Sequence, residues 1–276
     1  MNPPITAVRE VVARALAEDL EPDGDLTSSL LPPDATATAR FVARAEGVLA
    51  GSLPGRHTFR QVDPTVDVQW LLEDGAPLLA GTEIARVTGR LASILTAERT
   101  ALNFLGHLSG IATLTSRYVR AAGDGARIWD TRKTTPGLRA LEKSAVRAGG
   151  GRNHRGNLSE WILLKDNHLA GLGITEAIRL ARDRWPGRTV ECEADRVAQF
   201  EEAMAAGADL ILLDNMSVDD VVACVEKRGD ATRPLLECSG GIDLDTVGAY
   251  ARTGVDLIAV GALTHSAPAL DIGLDI

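Results

Sequence analysis

Apolar positions along this chain follow two different rhythms. The first hundred residues mix helical and strand spacing. Residues 5–20 carry Arg9, Glu10, Arg14, Glu18 and Asp19 among apolar neighbours, which predicts an amphipathic helix. A turn-rich stretch, EPDGDLTSSLLPPD, ends it. ATATARFVARAEGVLAG then alternates small or apolar residues with polar ones, as a half-buried strand does. PGRHTFRQV predicts a short helix opened by Pro54, and TVDVQWLLEDG and TEIARVTG predict further strands. From Leu91 to Ala122, Leu91, Ile94, Leu95, Leu102, Leu105, Ile111 and Leu114 recur near helical spacing. Gly106 and Gly110 in that stretch either divide the helix or admit a close neighbour.

After Gly125 a second rhythm begins. Short apolar runs appear at RIWD, WILLKD, TVECE, LILLD, PLLECSG and DLIAVG. Helical segments separate them: LRALEKSAVRA, ITEAIRLARDRW, RVAQFEEAMAAG, VDDVVACVEKRG and LDTVGAYARTG. Repeated βα units predict a parallel sheet. Six strands fall short of a complete eight-stranded barrel, and no clear candidates supply two more. The fold class is therefore α/β: a small N-terminal α+β layer, then an open, incomplete barrel of about six parallel strands.

Composition narrows what such a chain does. It has 276 residues, a formal net charge of −9, 45% hydrophobic and only 4% aromatic residues. The acidic balance argues against nucleic-acid binding, and so few aromatics argue against base-stacking platforms. Cys192, Cys224 and Cys238 are widely spaced with no CxxC pair. That predicts neither a zinc site nor a disulfide framework, and makes a reducing cytoplasm the expected location. The N-terminal helix reads as neither signal peptide nor membrane span, and no other run reaches membrane length.

Charge is not spread evenly. Between residues 127 and 165, nine Lys or Arg stand against three acids, a local net charge of about +6 in an acidic chain. Arg139 and Arg147 suit an exposed helix face. Arg132, Lys133, His154, Arg155 and Lys165 differ, because they fall at strand ends or in the glycine-flanked loop GGGRNHRG at 149–156. Barrel enzymes place their working groups at the C-terminal ends of strands. A cation cluster there repels itself unless it holds an anion, and Arg forks match carboxylate or phosphate oxygens in pairs.

Glu193 and Asp214 end consecutive strands and form the opposite pole. Such hard oxygens suit Mg²⁺ bound together with substrate phosphates; strand-end acids also cap following helices. SGGID and VGALTHS place Ser239, Gly240, Gly241 and Gly261 after late strands, where backbone N–H groups can cradle phosphate or simply make tight turns. The combination points to group transfer from a sugar diphosphate to a second anionic substrate.

AERTALNFLGHLSGIAT, DTRKTTPGLRALEKSAVRAGGGRNHRGNL, LLKDNH, LILLDN, ECSGGI and VGALTHSAPALDIGL together resemble quinolinate phosphoribosyltransferase, in order and most strongly from residue 98 onward. The resemblance implies an N-terminal α/β sandwich over 1–108, with a tail at 266–276 that packs back on it, and an open α/β barrel over 109–276. It implies conversion of quinolinate and phosphoribosyl pyrophosphate into nicotinate mononucleotide, pyrophosphate and CO₂ with Mg²⁺, as a step of NAD biosynthesis. It also implies a homodimer with shared active sites. By the same resemblance Arg132, His154, Arg155 and Lys165 contact the quinolinate carboxylates, and Arg99 comes from the partner chain. Lys133 faces the sugar diphosphate, Glu193 and Asp214 lie near ribose and metal, and Ser239, Gly240, Gly241 and Gly261 hold phosphate oxygens. EDLEPDGDLTS is longer than the family's usual turn, and HRGNLSEW lacks the aromatic that often follows the HR pair.

Two rival readings share these residues. Lys165 at a strand end also suits a Schiff-base lyase. A molybdenum-transport-associated paralogue shares the fold and many motifs but is expected to alter the quinolinate set. Of the remaining histidines, His57 reads as surface and His107 as packing or partner-facing. His168 reads as a helix cap or substrate contact, and His265 as phosphate-facing or helix-starting.

Overall fold

The computed structural model describes residues 2–276. In chain order its elements begin with α1 (Ile5–Leu20), β1 (Thr36–Ala43), β2 (Gly47–Val48), α2 (Ser52–Val62), β3 (Asp67–Trp70), β4 (Pro77–Leu78), β5 (Glu83–Arg90) and α3 (Leu91–Ala122). There follow β6 (Arg127–Trp129), α4 (Arg139–Ala148), β7 (Ile162–Leu164), α5 (Asp166–Leu169), α6 (Ile174–Arg184), β8 (Val190–Ala194), α7 (Val197–Ala205) and β9 (Leu210–Asp214). The chain continues through α8 (Val218–Arg228), β10 (Leu235–Ser239), α9 (Val247–Ala251), β11 (Leu257–Ala259), α10 (Ala262–His265) and β12 (Ile272–Asp275). It divides into two compact units. The first holds the residues up to Ser116, Thr134–Gly150 and Ala262–Ile276; the second holds Arg117–Lys133 and Gly151–Gly261. β12 groups with the first unit together with the tail expected there, and α4 and α10 group with it as well, so the division is more interleaved than a cut near residue 108 with a returning tail. No described helix is long and apolar enough to cross a bilayer.

The first unit is built on an antiparallel sheet in the order β12-β1-β5-β3. Alternation in β1 turns Ala39, Phe41 and Ala43 inward, where they join Ile84, Val87, Phe59, Ile94 and Leu105 in one apolar core. Phe41 packs edge-on against Phe59 at 5.9 Å and stacks on Trp70 at 6.2 Å. α1 buries Val8, Val12 and Leu16, one residue per turn along a single stripe. In the long turn after α1, Asp25 Oδ1 accepts the Ser28 N–H and Oδ2 accepts the Thr96 hydroxyl, so the extra residues are tied down.

Two local expectations are corrected. α2 starts at Ser52, not Pro54: the Asp74 carboxylate accepts the N–H groups of Gly51 and Ser52 at 3.1 Å each, a cap supplied from outside the helix. His57 is buried on this helix, not on the surface. Burial, then the nearby Arg9, Arg60 and Arg56, push its pKa below the usual imidazole range.

α3 runs unbroken for 32 residues, ~48 Å at the usual helical rise. Gly106 and Gly110 do not divide it. A Cβ at Gly106 would lie 3.1 Å from the Leu270 carbonyl oxygen, and one at Gly110 only 2.1 Å from that of Pro268. The glycines thus let the returning tail lie against the helix, and Leu270 N–H donates to Gly106 O. That contact delivers β12 to the sheet edge, where Phe41 pairs with Leu274 and Ala43 with Ile272.

In the second unit, among the described residues, six parallel strands form an open sheet in the order β6-β11-β10-β9-β8-β7. These are the six apolar runs of the sequence. Beside the β6 edge, Arg152 N–H donates to Ile128 O and Asp130 N–H to Arg152 O. All three cysteines are free and buried. Burial pushes the Cys192 thiol up to about 12, so its thiolate is suppressed.

Replacing Gly110 by Ala is expected to force backbone apart and cost about 1–3 kcal/mol. Urea unfolding of the two proteins measures it; equal stability would mean that the tail does not lie on α3.

Candidate active site

Strand alternation decides which side chains meet inside the second unit. Leu163 and Lys165, Glu191 and Glu193, Leu212 and Asp214, and Glu237 and Ser239 are each two residues apart, so each pair shares a face. Thr131, Arg132, Lys133, His154, Arg155, Leu163, Lys165, Glu193, Leu212, Asp214, Glu237, Ser239 and Ala259 line one cavity of about 330 Å³ at the strands' C-terminal ends. That volume lies in the range of small-molecule sites. The expected cations Arg132, Lys133, Arg155 and Lys165 therefore converge, as do Glu193, Asp214 and Ser239.

The loop bearing His154 and Arg155 is held from below. Asp130 is fully buried; its Oδ1 accepts the His154 N–H at 2.9 Å and its Oδ2 the Asn153 side-chain amide at 2.5 Å. A strand-end acid thus fixes a loop twenty-odd residues later and does not face ligand. Arg155 Nη1 donates to the Trp161 carbonyl at 3.1 Å. Burial, and then the neighbouring Arg132 charge, lower the Arg155 pKa. Arg132 Nε is buried without a hydrogen-bond partner. A guanidinium pair that repels itself in this way is stabilised by an anion.

Lys165 Nζ donates to Glu193 Oε2 at 2.7 Å, which places it against the acid pole rather than only among the cations. Its own N–H donates to His168 Nδ1 at 3.1 Å, so His168 caps α5. Glu193 pairs in register with Leu212 and Asp214 with Ser239, so the two acids end adjacent strands β8 and β9. Asp214 Oδ2 accepts the Asn215 amide at 2.7 Å. Glu193 Oε1 and Asp214 Oδ1 are the oxygens these bonds leave as hard donors, a set that fits Mg²⁺.

Other expected site residues lie elsewhere. Arg99 is exposed on α3 in the first unit and does not line this cavity. Gly240, Gly241 and Gly261 are also outside the lining. Gly240 combines φ 96° with a Cβ position 2.2 Å from Asn215 Oδ1, so glycine is required there by packing and by backbone. His265 ends α10 instead of starting it, with Nδ1 2.7 Å from Ser266 Oγ. His107 Nε2 lies 2.8 Å from Glu142 Oε1 within the first unit.

Glu191, Glu237 and Trp161 were not anticipated. His154 Nε2 lies 3.2 Å from Glu191 Oε2 and 3.7 Å from Glu237 Oε1, and Trp161 Nε1 donates to Glu191 Oε2 at 2.7 Å. The His154 and Trp161 ring centroids are 4.9 Å apart. The available signal was the pattern ECE and LEC: acids in mid-strand among residues that must be buried on both faces. Burial, then Glu191 and Asp130, raise the Glu237 pKa well above the carboxylate range.

The family models for the quinolinate phosphoribosyl transferase N-terminal and C-terminal domains match residues 25–109 and 111–275. A nicotinate-nucleotide pyrophosphorylase [carboxylating] from Mycobacterium leprae is 45% identical, covering 98% of this chain and 97% of that one. A probable one from Bacillus subtilis is 44% identical over 92% of this chain and 88% of its own length. Among solved structures, the nicotinate-nucleotide pyrophosphorylase from Francisella tularensis superposes with a TM-score of 0.94 at 39% identity, covering 99% of this chain and 96% of that one.

The unfolded-chain reference for Glu237 is 4.5, and its native value is higher. The native state therefore binds this proton more tightly, and the stability it confers is full below that reference and lost as pH rises through the native value. Glu237→Gln is expected to flatten this decline in urea unfolding followed across pH; an unchanged slope would mean that Glu237 is ionised when folded.

Proposed function

The chain belongs to the quinolinate phosphoribosyltransferase family, and we propose that its barrel cavity takes up quinolinate and phosphoribosyl pyrophosphate and releases nicotinate mononucleotide, pyrophosphate and CO₂. It is an enzyme, a phosphoribosyltransferase. The observation that carries the assignment of the site is the convergence of Arg132, Lys133, Arg155 and Lys165 on one cavity that also holds Glu193 and Asp214.

Quinolinate carries two carboxylates beside a ring nitrogen. Arg132, His154 and Arg155 form the wall that binds them, and the partnerless Arg132 Nε supplies a donor awaiting an acceptor. Lys165, already anchored by Glu193, spans the boundary between the carboxylates and the ribose. The ring nitrogen attacks the ribose carbon as pyrophosphate leaves, through a state with positive charge on the sugar. Glu193 and Asp214 stabilise that charge, while Lys133 and Ser239 hold phosphate oxygens. Gly240 and Gly241, after β10, and Gly261, after β11, lie outside the cavity lining and offer backbone N–H groups to phosphate oxygens at its rim. Mg²⁺, held by Glu193 and Asp214 with the substrate's own phosphates, would neutralise charge on the departing pyrophosphate. The product pyridinium draws electrons from the adjacent carbon–carboxylate bond, so CO₂ is lost without a covalent enzyme intermediate.

Arg99 sits exposed on α3, as a residue donated to a second copy's cavity would, and we assign it that role in a homodimer. A cytoplasmic location accords with three free thiols. The lyase reading is disfavoured by the ion pair that engages Lys165 Nζ, and the relatives' names give the molybdenum-transport reading no support.

The protein supplied with quinolinate, phosphoribosyl pyrophosphate and Mg²⁺ is expected to yield CO₂ and nicotinate mononucleotide, with nicotinate as the inactive control substrate. Arg132→Ala is expected to weaken quinolinate binding by ~1.5–3 kcal/mol; unchanged affinity by calorimetry would remove Arg132 from the pocket. Mixing Arg99→Ala chains with Arg155→Ala chains is expected to restore part of the activity through hybrid dimers. No recovery despite confirmed subunit exchange would refute a shared site.

A further inference from the structure

The cavity contains an acid that the transfer step does not use. Glu237 lies in the middle of β10, fully buried, and neither carboxylate oxygen has a hydrogen-bond partner. Its register neighbours, Leu212 of β9 and Leu257 of β11, are apolar. The charged groups around it are Glu191 from β8, Asp130 after β6 and Lys165 after β7, and the His154 imidazole reaches it from the 151–156 loop. An ionised carboxylate in that position would be desolvated and repelled by two other acids. A bound cation would relieve it, and His154, Glu191 and Glu237 do present ligand atoms within 4.8 Å of one another. Arg132, Arg155 and Lys165 line the same cavity as His154 and Glu237 and oppose a divalent ion there, and Trp161 already occupies one Glu191 oxygen. The fitting occupant is a proton.

The reaction assigned above consumes one proton at carbon. When the carboxylate next to the ring nitrogen departs as CO₂, the carbon–carbon bond breaks and its electron pair stays on the ring carbon beside the positive nitrogen. That carbon becomes C–H only by taking a proton. Resting on that functional reading, we propose that Glu237 is the source of this proton and that His154 passes it to the substrate. His154 gives a proton to the ring carbon, Glu237 gives its proton to His154, and the Glu237 carboxylate takes one back from water once products leave. No oxidant or reductant is needed. Glu191, held by Trp161, keeps the imidazole in place beside the acid.

Rapid-quench measurement of pyrophosphate and CO₂ release on the full protein tests the proposal. In Glu237→Gln the ratio of CO₂ to pyrophosphate release is expected to drop about a hundredfold. Undecarboxylated quinolinate mononucleotide then accumulates, because a carbanion left without a proton recaptures CO₂. Equal slowing of both releases, or an unchanged ratio, would overturn it. So would a metal ion retained stoichiometrically by the wild type and lost in Glu237→Gln. Should the variant not fold, as judged by circular dichroism, the same ratio is followed in the wild type as pH is raised, because burial and the neighbouring acids raise the Glu237 carboxyl pKa. A fall with rising pH supports the proposal and a constant ratio overturns it. A wild type that releases neither product from these substrates defeats the functional reading itself, whereas an active wild type with an unchanged ratio in the variant defeats only the role of Glu237.

Discussion

Like charges packed close together must be compensated, and most of the second unit's site architecture answers that demand. Arg132, Lys133, Arg155 and Lys165 are held around one small space before any anion arrives. The compensation comes from behind and beside. Asp130 grips the loop that carries His154 and Arg155, Glu191 braces the imidazole, and Glu193 takes Lys165. The acids would themselves be costly so far from water if each stood alone. Opposite charges, each tolerable because of the other, produce a pocket with a cation cluster on Arg132, Lys133, Arg155 and Lys165 and an acid pole on Glu193 and Asp214.

This layering makes the site preorganised rather than assembled on binding. Asp130 accepts from both the backbone of His154 and the side chain of Asn153, so the loop is fixed at two points. On the proposed reading, a ligand carboxylate replaces water around groups already in position, and little ordering is left to oppose binding. Catalysis benefits in the same way, since fixed dipoles need not reorient as charge develops.

The parallel strands and their ends were legible because each apolar run stops at a charge, as at LILLD and WILLKD, or at serine and glycine, as at PLLECSG and DLIAVG. Lys165, Glu193 and Asp214 therefore fell where expected. Their partners were not legible. That Lys165 contacts Glu193 depends on sheet order β7-β8, which no local pattern encodes. Glu191 and Glu237 were passed over because a mid-strand acid reads as an interruption in a buried run, whereas the barrel interior tolerates it beside His154. His57 and the start of α2 were misread for a similar reason: burial and the Asp74 cap come from residues remote in sequence. Gly106 and Gly110 left a divided helix and a close neighbour equally open, and nothing local pointed to the carbonyl groups of Leu270 and Pro268.

The pairing of β12 with β1 also bears on how the molecule comes into being. β12 is translated long after β1, β5 and β3, so on the ribosome the nascent sheet waits with one flank of β1 unclaimed. Such a flank invites strands from neighbouring chains, and its closure depends on the slowest kind of contact, between distant parts of one polypeptide. Newly made protein should accordingly be most vulnerable to aggregation, and most in need of chaperones, in the interval before that strand emerges.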